Sequence, residues 1–305
     1  MPADGQMPEP SLETSAREAA ARLPFWKGRV EPVRLGGGIT NVNFTVEDGG
    51  QKYVVRVGDD IPVHQILRFN ELSASRAAYA AGISPEVVYS ERGILVMRFV
   101  EGKTCAPADI RDPIRLAKIL PLIKRVHREM PVHLRGPVLA FWVFHVIRDY
   151  AHTLADAHSR YESRLPDLLD AAAELELAVG PIDLVFGHND LLAGNFIDDG
   201  NRIWLIDWDY AGFNSPLFDL SNLASNNSFD ASQEEWMLAT YFGRVPDPQL
   251  MQGYRAMKCA SLLREAMWSM VSEIHSRLDY DYAAYTVDYM DRFARAFAAF
   301  SEEKD

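Results

Sequence analysis

A run His188-Asn189-Asp190-Leu191-Leu192-Ala193-Gly194-Asn195 is followed, twelve residues after its last member, by Asp207 within Ile206-Asp207-Trp208-Asp209-Tyr210. A carboxylate on a loop can orient a hydroxyl and take its proton as the oxygen attacks, a role suited to Asp190. Asn195, five residues on, and Asp207 offer hard oxygen ligands of the kind Mg²⁺ prefers, and a Mg²⁺ ion so held neutralises charge on phosphate oxygens. The expected chemistry is therefore a metal-assisted phosphoryl transfer to a hydroxyl. Asp190 would be the base, Asn195 and Asp207 the metal ligands, and His188 a brace for the loop. Loops and turns often carry Asn and Asp for backbone reasons alone. That reading leaves unexplained why strand, loop spacing, hairpin and terminal Asp all occur together.

Such groups need elements to hold them. Val33-Arg34-Leu35, Asn41 to Glu47 and Gln51 to Val57 alternate as strands do, with breaks at Gly36-Gly37-Gly38 and Asp48-Gly49-Gly50. The periodicity predicts a helix from Ile61 to Ala81, ended by Gly82 and Ser84-Pro85. Val87-Val88-Tyr89 and Ile94 to Val100 flank a turn at Glu91-Arg92-Gly93 and complete a five-stranded antiparallel sheet. Glu101 to Asp112 reads as a hinge, and Pro113 to Met130 and Phe141 to Val179 as helical. One β island follows, with Ile182 to Phe186, Phe196-Ile197, a turn at Asp198-Asp199-Gly200-Asn201 and Ile203 to Ile206. Helices resume from Leu217 to Phe300. The expected class is α+β and bilobal, a small antiparallel β-sheet lobe with one helix beside a larger, mostly helical lobe. Residues 1–20 would be a flexible N-terminal segment, 21–100 the nucleotide-binding lobe and 101–305 the catalytic and substrate-binding lobe.

The first lobe offers parts suited to a nucleotide. In Gly36-Gly37-Gly38-Ile39-Thr40-Asn41, between two strands, backbone amides without side chains can approach phosphate oxygens. Alternation in Tyr53-Val54-Val55-Arg56-Val57 puts Val54 and Arg56 on one face, Val54 to pack on a base and Arg56 to reach phosphate. Glu71 on the next helix is the carboxylate best placed to pair with Arg56. Gly102-Lys103-Thr104 ends like a phosphate-binding loop, but the first glycine of that motif would fall at Met97, so it is set aside. His145, His152 and His158 lack the i, i+4 spacing of a metal-binding helix pair, and His127 reads as helix packing.

Composition removes other classes. With 305 residues and 48% hydrophobic content the chain can bury a sizeable core. Its net charge of -12 repels nucleic acid and anionic membranes and favours a cationic substrate. Two cysteines far apart, Cys105 and Cys259, imply neither a disulfide framework nor a zinc site, and with no signal peptide legible the expected location is the cytoplasm. Composition assigns no oligomeric state.

Asp190 with Asn195, then Asp207, follows the protein-kinase order H-x-D-x-x-x-x-N and a metal-binding Asp. More specifically, Leu35 to Asn41, Val55-Arg56-Val57, His188 to Asn195, and Ile206 to Tyr210 continuing through Asn214 to Phe218-Asp219-Leu220-Ser221-Asn222 resemble the choline/ethanolamine kinase family. That family is a branch of the aminoglycoside phosphotransferase-like, protein-kinase-like fold. The resemblance covers about residues 30–295. It implies ATP and Mg²⁺ as cofactors, Arg56 in the usual Lys place with the glycine loop at the ATP phosphates, and Asp219 bracing the catalytic loop. It also implies an amino-alcohol acceptor near Asp209, Tyr210, Trp268 and Tyr285. A quaternary ammonium needs aromatic faces and carboxylates, which those residues could supply. Asn226 and Val271 stand where choline kinases of eukaryotes are expected to carry an acidic residue and a second cage Trp, so a different amino alcohol stays open. An aminoglycoside or thiamine kinase is the alternative enzyme, and a nucleotide-binding pseudokinase or scaffold the alternative of another class.

Overall fold

In the computed structural model, which describes residues 11–36, 41–276, 278 and 280–302, the chain falls into two compact units. One comprises Met1–Asp60 and Pro85–Val100, the other Ile61–Ser84 and Glu101–Asp305.

The first unit is built on alternation. Strands β1 (Val33–Leu35), β2 (Val42–Asp48), β3 (Gln51–Val57), β4 (Val87–Glu91) and β5 (Ile94–Arg98) form an antiparallel sheet in the order β1-β2-β3-β5-β4. Phe44, Val46, Tyr53 and Val55 point to one buried face, as the period of two requires. The β2–β3 hairpin turns through Gly49 and Gly50, both at positive φ (57° and 74°), the pair of left-handed residues that matches strand twist in a tight hairpin. Helix α1 (Leu12–Ala21) covers this face with Ala16 and Ala20. It corrects the expectation of a flexible segment over 1–20, of which 1–10 lie outside the described residues. Ser11 caps the helix by accepting from the Thr14 amide, and Arg17 donates to the Pro32 carbonyl at 3.0 Å, so local and tertiary contacts agree.

The second unit begins with a stretch that sequence periodicity misplaced. Helix α2 spans Arg68–Ala80 rather than starting at Ile61, because Pro62–His64 make a 3₁₀ turn and Gln65 is left-handed (φ 58°). That turn buries His64. The expected hinge contains β6 (Lys103–Thr104) and α3 (Pro107–Arg111), and α4 (Pro113–Arg128) follows. The single helical stretch expected over Phe141–Val179 is two helices, α5 (Val143–Asp156) and α6 (Leu165–Val179), separated where His158 takes φ 49°. Next come β7 (Val185–Gly187), β8 (Phe196–Asp198), β9 (Ile203–Leu205) and β10 (Gly212–Asn214). β8 and β9 are the expected hairpin, extended by β6, while β7 pairs with β10. Helices α7 (Pro216–Asn226), α8 (Ala231–Phe242), α9 (Pro248–His275) and α10 (Tyr282–Glu302) complete the unit.

Helix α9 is its axis, packed by α5, α6, α7 and α10. Cys259, Leu262, Leu263, Ala266, Met267 and Met270 are buried around its circumference, as expected of a helix with neighbours on all sides. Both cysteines are buried and unbridged, and burial pushes the Cys259 thiol up to about 12, so it behaves as a small apolar side chain. Among the described residues no helix is long and apolar enough to cross a membrane.

Candidate active site

The loop after β7 is fixed from beneath by side chains of α7. Asp219, 1% exposed, accepts from the His188 amide (2.9 Å) and the Asn189 amide (2.7 Å). The same carboxylate takes a third bond from His127 Nε2 at 2.9 Å, and His127 Nδ1 lies 2.6 Å from the Tyr241 hydroxyl. Burial alone would raise the Asp219 pKa, but the hydrogen bond and charge of His127, with His188, hold it below the ordinary carboxylate range. Asn222 Oδ1 accepts from the Leu191 amide at 2.6 Å, and Asn227 Nδ2 donates to the Leu191 carbonyl at 3.1 Å. These braces use the loop's main chain and leave its functional side chains uncommitted.

Asn189 and His188 lock the other side. Asn189 is left-handed (φ 65°), a conformation asparagine tolerates, and its Nδ2 donates to the carbonyls of Tyr210 (2.9 Å) and Gly212 (3.2 Å). His188 is fully buried against Trp208, ring centroids 4.7 Å apart. Its Nε2 faces the Ile206 carbonyl at 2.9 Å and its Nδ1 the Asp190 amide at 3.3 Å. A carbonyl only accepts and an amide only donates, so Nε2 carries the proton and the ring is neutral. Burial lowers its pKa in accord, against the opposing charge of Asp219. His188 thus commits both ring nitrogens to main-chain groups, one at Ile206 and one at Asp190.

Asp190 spends its amide and carbonyl on the fold, the carbonyl accepting from Asn195 Nδ2 at 2.8 Å, while its carboxylate has no hydrogen-bond partner among the described residues. Because Asn195 commits its nitrogen, Oδ1 is the atom left for a ligand. The Ile206 amide donates to the Asn195 carbonyl at 3.0 Å, tying the segment that ends in Asp207 to the loop that ends in Asn195. Asp207 is itself left-handed (φ 70°), which turns the chain sharply after β9. One carboxamide oxygen and one carboxylate fit a Mg²⁺ that keeps several waters and takes its remaining oxygens from phosphate. Burial, then the charge of Glu265, push the Asp190 pKa well up, with Arg264 opposing them.

The other expected nucleotide contacts are placed as follows. Gly36 and Asn41 bound the glycine stretch, Asn41 being buried, while Gly37, Gly38 and Thr40 lie outside the described residues. On β3 Arg56 is buried, on the face opposite Tyr53 and Val55. Glu71 on α2 belongs to the second unit, where Arg68 Nη1 donates to it at 2.6 Å and to Asp209 at 2.8 Å. Asp209 is therefore an ion-pair partner of α2. Arg68 was not legible as part of the site.

A family model described as choline/ethanolamine kinase matches residues 33–242, more than half of the chain. The chain belongs to the choline/ethanolamine kinase family. Its relatives include Protein LicA of Haemophilus influenzae, 26% identical over 83% of this chain and 76% of that protein. Ethanolamine kinase 2 of Mus musculus is 26% identical over 87% of this chain and 76% of that one. A solved choline/ethanolamine kinase family protein from Mesorhizobium loti superposes with TM-score 0.72 at 28% identity, covering 94% of this chain and 98% of the other. The fold is the α+β, protein-kinase-like one expected from the sequence, in a family of phosphotransferases acting on alcohol groups.

Against this family background, the aromatic residues expected near the acceptor have specific neighbours. Tyr285 donates to Glu265 at 3.1 Å, stacks on Tyr289 at 4.4 Å and meets Trp268 at 5.8 Å. Trp268 also lies 5.3 Å from His64, whose Nδ1 and Nε2 face Tyr150 (3.2 Å) and Ser272 (3.0 Å). One face of the Tyr210 ring is covered by the guanidinium of Arg264, 4.3 Å from its centroid. Arg264 also bonds Glu265, and both are buried. These two were the residues sequence reasoning passed over. The available signal was a charged pair inside the otherwise apolar run Leu262-Leu263-Arg264-Glu265-Ala266-Met267-Trp268.

Proposed function

We propose that the protein transfers the γ-phosphate of ATP to the hydroxyl of choline or a related amino alcohol. The observation that carries this reading is the carboxylate of Asp190, which has no hydrogen-bond partner among the described residues and stands on a loop whose main chain is clamped by Asp219, Asn222 and Asn227. Such clamping holds a base in position at no cost at the moment of reaction. Asp190 orients the acceptor hydroxyl and receives its proton. Asn195 Oδ1 and the Asp207 carboxylate hold Mg²⁺, which when bound supplies charge neutralisation at the phosphate oxygens. The residues assigned to the nucleotide in this proposal are Gly36, Gly37, Gly38, Thr40, Asn41, Arg56 and Glu71. Trp268, Tyr285, Asp209 and Tyr210 serve the amine, with Glu265 as a further carboxylate. The division into a nucleotide lobe over 21–100 and a catalytic lobe over 101–305 belongs to the same proposal.

Purified protein incubated with ATP and Mg²⁺ should release ADP at a rate stimulated by choline, ethanolamine or a close analogue. Mass spectrometry should find the phosphomonoester of that acceptor. ADP release unchanged by every member of a panel including thiamine and aminoglycosides would favour a nucleotide-binding scaffold instead.

A further inference from the structure

Helix α9 carries Arg264 and Glu265 next to each other in sequence, with Trp268 four and three residues further on, about one turn away from each. Arg264 is 1% exposed, Trp268 4% and Tyr210 8%. Arg264 gives Nη1 to Glu265, yet its Nε and Nη2, together with Trp268 Nε1 and the Tyr210 hydroxyl, have no hydrogen-bond partner among the described residues. Both Glu265 oxygens, in contrast, are engaged, one by Arg264 and one by Tyr285. The capacity left over is donor capacity. Nε and Nη2 form the side edge of the guanidinium, the two-pronged edge that receives a carboxylate through parallel hydrogen bonds. A buried donor without a partner costs about 1–3 kcal/mol, more when charged, so several around one residue mark a place that a ligand completes. Choline and ethanolamine carry no anionic group for this edge: the hydroxyl that donates to Asp190 can offer it a lone pair but not two parallel charge-assisted acceptors.

We infer that the acceptor is a hydroxylated amine that also carries a carboxylate, received by the free edge of Arg264, while its ammonium faces Glu265, Tyr285 and Trp268. The Arg264 guanidinium lies over the ring of Tyr210 at 4.3 Å, and the Tyr210 carbonyl accepts from Asn189, the neighbour of Asp190, so one small zwitterion can meet both Asp190 and Arg264. This rests on the amino-alcohol kinase reading for the reaction, but its first test does not.

Calorimetry on the full chain compares trimethylglycine, a trimethylammonium with a carboxylate and no hydroxyl, with tetramethylammonium. Trimethylglycine should bind at least about tenfold more tightly, the worth of charge-assisted hydrogen bonds. Equal binding, or tighter binding of tetramethylammonium, overturns the inference without any variant. Arg264→Lys keeps the charge and loses the fork, so the ratio of the two affinities should fall by about tenfold or more; a ratio unchanged in a folded variant also overturns it. The kinetic arm compares serine with ethanolamine, which differ by the carboxylate, and kcat/KM should favour serine. If ethanolamine is phosphorylated and serine is not, the kinase reading stands and the inference falls. If trimethylglycine wins in binding and no acceptor is phosphorylated, the carboxylate subsite stands and the kinase reading falls. Should Arg264→Lys slow both acceptors by one factor with the binding ratio intact, the edge serves the transferred phosphoryl group and the inference is wrong.

Discussion

Replacing Asp219 by Asn removes one oxygen's worth of acceptor capacity from the group that fixes the loop. The wild-type carboxylate accepts at 2.9 Å from His188 N, 2.7 Å from Asn189 N and 2.9 Å from His127 Nε2. A carboxamide keeps one accepting oxygen and turns an NH₂ toward a donor, so at least one bond is lost and two donors confront each other. With hydrogen bonds to buried charge worth about 1.5–3 kcal/mol, the expected loss is about 2–5 kcal/mol. For a unit of this size that lowers the melting midpoint by about 5–15 °C. The sign of the pH dependence follows from the depressed pKa. The wild-type contribution is present above the ordinary aspartate value and is lost as pH falls through the lower native one, and the variant lacks it. Because a shift of about 1 Å in a catalytic group costs about a hundredfold in rate, turnover should fall by that order even well below the variant's midpoint. Differential scanning fluorimetry and steady-state kinetics on the same preparation measure both. A variant with an unchanged midpoint and unchanged kcat would refute the claim that Asp219 positions the loop.

Other expectations follow from single contacts. Burial first, then Arg264 and His275, lower the His64 pKa from 6.5 to about 3, so the ring is neutral in the fold; its contribution is present above 6.5 and lost as pH falls toward 3. At about pH 5 the wild type should have lost about 2 kcal/mol from this group, and His64→Gln should flatten that part of the stability–pH curve in urea titrations. Asn189→Ala removes the donor to the Tyr210 and Gly212 carbonyls and leaves alanine left-handed, for a loss of about 2–4 kcal/mol; Asn189→Gly, relieved of strain, should fall between it and wild type in the same titrations. A Cβ on Gly212 would sit 2.9 Å from the Leu139 carbonyl and 3.2 Å from the Phe141 amide, so Gly212→Ala must move backbone, and thermal melts should show a loss of about 1–3 kcal/mol.

Elements with strong local signals were legible in the sequence, and those made by tertiary contact were not. The β2–β3 hairpin carried both alternation and a Gly-Gly turn, and it appears where expected. The start of α2 was misplaced because the periodicity of Leu67 and Leu72 extends back across Pro62, while a left-handed Gln65 carries no residue-type signature. Strand β10 has three residues, one of them glycine, and exists through its pairing with β7 and its bonds to Leu139 and Phe141. At the site, Asp190, Asn195 and Asp207 stood out because their spacing lies within one loop and hairpin. Arg68, His127 and Arg264 meet their partners across large separations in sequence, which no local pattern records. Arg264 was hidden further by being a charge in a buried helix, where periodicity reads only apolar positions.

Asp190→Asn isolates the role of the Asp190 carboxylate. The side chain keeps its shape and makes no hydrogen bond to the described residues that the change would break, so the melting midpoint and the Kd for ATP with Mg²⁺ should stay near wild type. Only proton acceptance is lost, which should lower kcat for the amino-alcohol acceptor by about 10²–10⁴-fold. A variant that binds nucleotide normally and still turns over within a few fold of wild type would contradict the account.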